Sequence, residues 1–162
     1  MTKLFTWSGH KWLALATRLY LGGVFLFACF HKILNPAEFA LDVATYQLLP
    51  LALVNVFALV LLWVELLAGL LLLLGVRVKA AALLTGGMMA MFMLGLAWAL
   101  YLGLDMSCGC FASQSAAKDD PISTTTLLRD SVWLLQSLYI LVFDSEPVGV
   151  ENWVLAWRKK HA

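Results

Sequence analysis

Four long apolar stretches constrain this chain more than any other feature. They run over residues 12–34, 48–76, 80–104 and 123–143. A helix crosses the hydrocarbon core of a bilayer with about 20 apolar residues, so each stretch is long enough to span it. The segments between them are too short to form a separate soluble domain. We therefore expect an all-α fold, in which residues 1–162 form one integral membrane four-helix bundle.

The composition agrees with a lipid environment. Hydrophobic residues make up 62% of the chain and charged residues 13%, whereas soluble domains carry about 25% charged residues. This deficit of charge is too large for an ordinary hydrophobic core. The eleven basic and ten acidic residues nearly balance, so the net charge gives no reason to expect a nucleic-acid partner.

Basic residues near the helix ends predict the orientation. If the N-terminus is cytoplasmic, eight basic residues lie inside and only Lys32, Lys118 and Arg129 lie outside. An excess of Lys and Arg is typical of cytoplasmic loops. We therefore expect both termini in the cytoplasm. The loop after the third span then faces the extracytoplasmic side.

Two shorter segments are predicted to lie at the membrane interface. Between the first two spans, Phe39, Val43 and Tyr46 recur at helical spacing, which indicates a short helix on the surface. Residues 151–160 combine tryptophan with a basic end, a pattern typical of a helix lying along the headgroups.

A pair of cysteines is the strongest chemical signal. Cys108 and Cys110 are separated by one glycine and follow the third span directly, on the side where disulfides persist. A disulfide within Cys-Gly-Cys closes a small, strained ring, and strain makes a disulfide easier to reduce. Such a bond closes almost no chain and adds little stability. The pair therefore favours thiol–disulfide exchange over a structural role.

Other interpretations of the pair remain open. Both thiols could be free and packed at a helix end. They could also bind Cu(I) together with Met106 and His31, because thiolate, thioether and imidazole ligands suit that ion. The redox interpretation requires no bound metal.

Neighbouring residues are candidates for tuning the pair. His31, Lys32 and Arg129 lie at the outer ends of the spans, and nearby cations lower the pKa of a thiol. Each could equally anchor its helix at the interface. Cys29, one turn deeper than Lys32, is either a packed small residue or a resolving thiol.

Two charged residues fall inside the spans. Charges within a bilayer are usually paired, so we predict an ion pair between Arg18 and Glu65. It would either clamp the first two spans together or place Glu65 at a site that handles protons or a quinone headgroup. The methionines at 88–93 point around their helix and are expected to serve packing. The candidate aromatic contacts for a quinone ring are Trp63, Phe92, Trp98 and Tyr101.

The order of several motifs resembles a known family. The run Arg18-Leu-Tyr-Leu-Gly22, the residues Lys32 and Glu65, and the segment Tyr46-Gln-Leu-Leu-Pro50 are similar to the DoxX superfamily. The motif Cys108-Gly-Cys110-Phe111 is closer to its MauE branch. Ala112 stands where a glycine usually follows, and Phe30-His31 replaces a usual small residue.

This resemblance implies a function as well as a fold. It implies a four-helix protein of the bacterial cytoplasmic (inner) membrane that takes part in redox maturation of periplasmic proteins, with a thioredoxin-like partner. Cys108 and Cys110 would be the redox pair, and Arg18, Lys32 and Glu65 the recurrent polar positions. Relatives in the superfamily are tied to quinone-linked oxidation.

The leading hypothesis is therefore a membrane thiol–disulfide redox protein. It would pass electrons between a periplasmic thioredoxin-like or other cysteine-containing partner and the quinone pool. One alternative is a non-enzymatic assembly or anchor subunit of a membrane redox complex, which would contact other membrane redox subunits. Another is a Cu(I)-binding membrane protein.

Overall fold

The computed structural model of the chain describes residues 10–104, 124–144 and 149–150, which contain helices and no strand. The helices are α1 (His10–Leu34), α2 (Pro36–Thr45), α3 (Leu51–Leu74), α4 (Val78–Tyr101) and α5 (Thr124–Phe143). All except α2 are long and apolar enough to cross a membrane. The four predicted spans are confirmed, and the chain is a multi-pass membrane protein.

Proline and glycine mark the helix ends. Pro36 is the first residue of α2 and Pro50 directly precedes α3, where the missing N–H of proline costs no helical hydrogen bond. Gly75 follows α3 with a φ of 67°, and its N–H donates to the carbonyls of Leu71 and Leu72. Glycine adopts this left-handed conformation without steric cost. The turn is short, so α3 and α4 run antiparallel.

The long helices form a ring in which each contacts two others. Helix α1 packs against α3 and α5, and α4 packs against α5 and α3. The contact between α1 and α3 depends on two glycines. A Cβ atom on Gly22 would lie 3.1 Å from the carbonyl oxygen of Gly69, and one on Gly69 would lie 3.3 Å from that of Gly22. The absence of side chains lets the two backbones approach closely.

The buried core differs between the two ends of the bundle. We call the end that contains α2 the α2 half; it includes the end of α1, the start of α3, the end of α4 and the start of α5. In the opposite half, one cluster joins all four long helices; it includes Leu21, Leu72, Ala81 and Ile140.

In the α2 half the core divides into two clusters. One joins α1, α2 and α3 around Cys29, Phe39 and Leu62. The other joins Tyr46, just after α2, to Leu96 and Ala99 of α4. A cavity lies among the same elements, with Phe39 and Tyr46, one from each cluster, in its wall.

The outer surface of the bundle is apolar. Large hydrophobic side chains are exposed along every long helix, among them Trp12, Leu51, Leu94 and Leu135. A soluble monomer rarely exposes an apolar surface of this extent. The helix predicted between the first two spans is confirmed as α2, with Phe39 buried against the bundle. The interfacial helix predicted at 151–160 lies outside the described residues.

Candidate functional site

A buried ion pair joins α1 and α3 in the α2 half. Lys32 Nζ donates hydrogen bonds to Glu65 Oε1 at 3.0 Å and to Glu65 Oε2 at 2.8 Å. The two side chains are only 12% and 9% exposed. The same ammonium group lies 4.9 Å from the centroid of the Phe39 ring. Pairing offsets the high cost of holding these charges within a membrane span.

The predicted ion pair between Arg18 and Glu65 is therefore wrong. Gly22 lies beside Gly69, so in these antiparallel helices Glu65 is level with about residue 26 of α1, between Arg18 and Lys32. Side chains tilt towards the N-terminus of their own helix. This tilt turns Lys32 and Glu65 towards each other and turns Arg18 away.

Arg18 instead pairs with Asp144 in the opposite half. Arg18 Nη1 lies 3.3 Å from Asp144 Oδ2, and both residues are buried. Asp144 directly follows α5. Burial raises the pKa of its carboxyl group, although the neighbouring guanidinium acts to lower it. The pair joins the first and last spans at the end of the bundle remote from α2.

The cavity in the α2 half is the candidate functional site. Its volume is about 300 Å³, at the lower end of the range for ligand pockets. Most of the wall is apolar, with aromatic and methionine side chains that include Phe39, Phe57, Phe92, Met88, Met89 and Trp133. Five polar residues complete it; they are Lys32, Asp42, Tyr46, Glu65 and Asp130.

Tyr46 and two carboxylates form the second polar group of the cavity. Tyr46, Asp42 and Asp130 are all buried. Burial, and then the charges of Asp42 and Asp130, raise the pKa of the Tyr46 hydroxyl group. The phenol therefore stays protonated at neutral pH and can donate a hydrogen bond. The cavity thus contains donors, from Lys32 and Tyr46, and carboxylate acceptors.

Arg129 lies beside this group. Its Nε donates to Asp130 Oδ1 at 3.2 Å, and its guanidinium carbon lies 5.0 Å from the centroid of the Trp133 ring. The predicted cation at the start of the fourth span therefore contacts two cavity-lining residues. His31, also predicted at this end, lies in the last turn of α1 and is partly exposed.

Cys108, Cys110 and Met106 lie outside the described residues. The chain nevertheless limits where the pair can be. Cys108 follows Leu104 by four residues, which span at most about 14 Å. Leu104 packs against the cluster around Tyr46, in the α2 half that also contains the cavity.

Cys29 is completely buried between α1 and α3. Its Sγ donates to the carbonyl oxygen of Leu62 at 3.5 Å, and its exposed fraction is 0%. This environment is that of a packed small residue. The alternative role as a resolving thiol would require the α1–α3 interface to open.

Of the four aromatic residues predicted to contact a quinone, Phe92 lines the cavity and the other three do not. Trp63, Trp98 and Tyr101 are 63%, 44% and 82% exposed, on the outer surface. A long apolar helix gives no sequence signal that separates lipid-facing from inward-facing aromatic residues. Beside Phe92, the cavity wall contains aromatic side chains that were not predicted as quinone contacts, including Phe39 and Phe57.

Sequence reasoning missed Asp42 and the methionines of the cavity. Asp42 lies three residues after Phe39 and four before Tyr46, so an acidic side chain shares the apolar face of α2. An acidic residue on this apolar face was the sequence signal that could have identified Asp42 as a buried polar residue. Met88 and Met89, expected to serve packing alone, also line the cavity.

No metal site is evident among the described residues, where no three His, Cys, Asp or Glu side chains are arranged to hold an ion. Three of the four candidate Cu(I) ligands, Met106, Cys108 and Cys110, lie outside that part of the chain.

The family model described as methylamine utilisation protein MauE matches residues 10–143. No curated protein and no solved structure matches the chain.

Proposed function

The chain belongs to the MauE family, and we propose that it is a membrane thiol–disulfide redox protein that uses Cys108 and Cys110. The wider resemblance to the DoxX superfamily stays a prediction. We further propose that the pair faces the periplasm of a bacterial inner membrane, as the distribution of basic residues predicts.

The chemistry of the pair supports exchange. A partner dithiol attacks the Cys108–Cys110 disulfide. One partner sulfur forms a mixed disulfide with one cysteine of the pair, and the other cysteine of the pair leaves as a thiolate. The second partner thiolate then displaces the first cysteine. The partner becomes a disulfide and Cys108 and Cys110 become a dithiol, so two electrons pass to this protein. A periplasmic thioredoxin-like or other cysteine-containing protein has the required chemistry.

The observation that carries the proposal is the position of the cavity. It lies in the α2 half, which also contains Leu104, four residues before Cys108 in the sequence, and its wall is largely apolar with a few polar groups. These properties suit a quinone, a membrane-soluble oxidant with two carbonyl acceptors. The dithiol would return to a disulfide as it reduces the quinone to quinol, with two electrons and two protons transferred.

Anaerobic turnover in proteoliposomes tests this reaction. The purified protein is reduced, freed of reductant, and mixed with a short-chain ubiquinone whose absorbance reports its reduction. We expect stoichiometric quinol formation in the wild type and in Cys29→Ala, and none in Cys108→Ser or Cys110→Ser. Cys29→Ala is the matched control because its thiol is completely buried and does not line the cavity.

Equal quinol formation in the wild type and the Cys108→Ser variant would contradict the proposal. The result would favour the alternative role of an assembly or anchor subunit, because that role does not require the cysteines.

A further inference from the structure

The ion pair of Lys32 and Glu65 has a property that a structural clamp does not need: both side chains line the cavity. The Arg18–Asp144 pair, which is more deeply buried, does not. The position of Lys32 at a cavity wall makes its ammonium group available to a bound molecule.

We propose that Lys32 donates a hydrogen bond and then a proton to one carbonyl oxygen of a quinone bound in this cavity, with Glu65 as the positioning residue. The inference rests on the proposed function, and it names the group that recognises the quinone headgroup.

The hydrogen-bonding capacity of Lys32 supports this role. An ammonium group has three N–H donors. Among residues 10–104, 124–144 and 149–150, the hydrogen-bond acceptors of Lys32 are the two oxygens of Glu65. At least one N–H thus remains for an acceptor in the cavity. Glu65 holds the ammonium group beside the Phe39 ring, so the donor is already oriented.

The other polar groups fit both redox forms of a quinone. A quinone has two carbonyl acceptors, and the cavity offers donors from Lys32 and from the protonated Tyr46 hydroxyl. A quinol has two O–H donors, and the carboxylates of Asp42, Glu65 and Asp130 can accept them. The apolar wall, with Phe92 among its rings, suits the remainder of the headgroup.

The proton balance of the step is complete. Oxidation of the Cys108–Cys110 dithiol releases two electrons and two protons, and reduction of the quinone consumes the same numbers. Lys32 gives one proton to one quinone oxygen and regains one of the two protons that the thiols release, and the other thiol proton goes to the second quinone oxygen. The net products are a disulfide and a quinol.

Quinone binding is tested without thiol chemistry, in full-length protein carrying Cys108→Ser and Cys110→Ser. A short-chain ubiquinone is titrated into this protein in lipid nanodiscs and binding is followed by calorimetry. A hydrogen bond from a charged donor contributes enough that Lys32→Met should weaken binding about 10- to 100-fold.

Two double variants separate recognition from folding. Lys32→Met with Glu65→Met replaces the buried pair by apolar side chains, a change that membrane-buried pairs are expected to tolerate, and should also lose affinity. Arg18→Met with Asp144→Met removes the other pair and should leave the Kd unchanged.

Infrared spectra of a carbonyl-labelled quinone give a readout that a purely structural role would not move. We expect one carbonyl band at lowered frequency in the wild type, its return to the unbound frequency in Lys32→Met and Glu65→Leu, and its restoration in Glu65→Gln, which keeps an acceptor for Lys32.

Unchanged affinity and unchanged carbonyl bands in the Lys32→Met, Glu65→Met double variant would overturn the inference, and so would absence of quinone binding in all variants. The proposed exchange with a partner protein would survive the first result, because cysteine oxidation is measured separately on the wild type.

Discussion

Two adjacent glycines in α1 should respond oppositely to the same substitution. Gly22 lies against α3, and a Cβ atom there would be 3.0 Å from Leu73 Cγ and 3.1 Å from the backbone oxygen of Gly69. Gly23 has no neighbour within 4 Å of its Cβ position. Alanine at Gly22 must push the helices apart, because a backbone oxygen cannot rotate away as a side chain can.

The magnitude follows from the difference between the two sites. Alanine gains about 0.5–1 kcal/mol over glycine inside a helix, and this gain is common to both variants and cancels. Overpacking costs about 1–3 kcal/mol and applies at Gly22 alone. We therefore expect Gly22→Ala to be about 1–3 kcal/mol less stable than Gly23→Ala, which should equal or exceed the wild type.

Thermal or denaturant unfolding of the purified variants in one detergent measures this difference. Gly69→Ala should behave like Gly22→Ala, because its Cβ atom would lie 3.0 Å from Leu26 Cδ2 and 3.3 Å from the Gly22 oxygen. Equal stabilities for Gly22→Ala and Gly23→Ala would refute the close α1–α3 contact. That result would also contradict the register of α1 and α3 that brings Lys32 to Glu65.

Three further outcomes are expected. Lys32→Met should destabilise the protein by about 3–5 kcal/mol because Glu65 stays buried without its cation, whereas the double change to methionine should restore most of that loss in the same unfolding assay. Burial raises the pKa of the Asp144 carboxyl group above its ordinary 3.8. The stability that its protonation contributes is therefore greatest below pH 3.8 and is lost as the pH rises through the raised pKa. The unfolding free energy of Asp144→Asn should depend less on pH over this interval than that of the wild type. In native membranes a permeant maleimide should label Cys108 after reduction but leave Cys29 unmodified until the protein is denatured, and early labelling of Cys29 would contradict its complete burial.

The helices could be predicted because their signals are local. About 20 consecutive apolar residues identify a membrane span, and the observed α1, α3, α4 and α5 match the four predicted stretches. The recurrence of Phe39 and Tyr46 at helical spacing likewise predicted α2. The match of residues 10–143 to the MauE family confirms that part of the resemblance.

The ion pairs could not be predicted from depth alone. Counted along the sequence, the depths of Arg18 and Glu65 in the membrane differ by an amount that an arginine side chain can span, but the register of α1 and α3 and the tilt of side chains towards the helix N-terminus select Lys32 for Glu65. The pairing of Arg18 with Asp144 could not be predicted from the sequence, because Asp144 follows the last span and only tertiary packing buries it.

The cavity could not be predicted from the sequence either. Nearly every residue of α3 and α4 is apolar, so the pattern does not show which face of these helices meets lipid. Asp42 in α2 and Asp130 in α5 did carry a signal in the sequence, since a carboxylate near an apolar face needs a buried polar neighbour or water.

The redox state of Cys108 and Cys110 in native membranes tests the central claim most directly. Differential alkylation and mass spectrometry would measure it with and without a quinone pool, with buried Cys29 as the internal control. The account predicts a pair that is oxidised when quinone is present and becomes reduced when quinone is removed. A pair that stays reduced and unreactive under both conditions would contradict it.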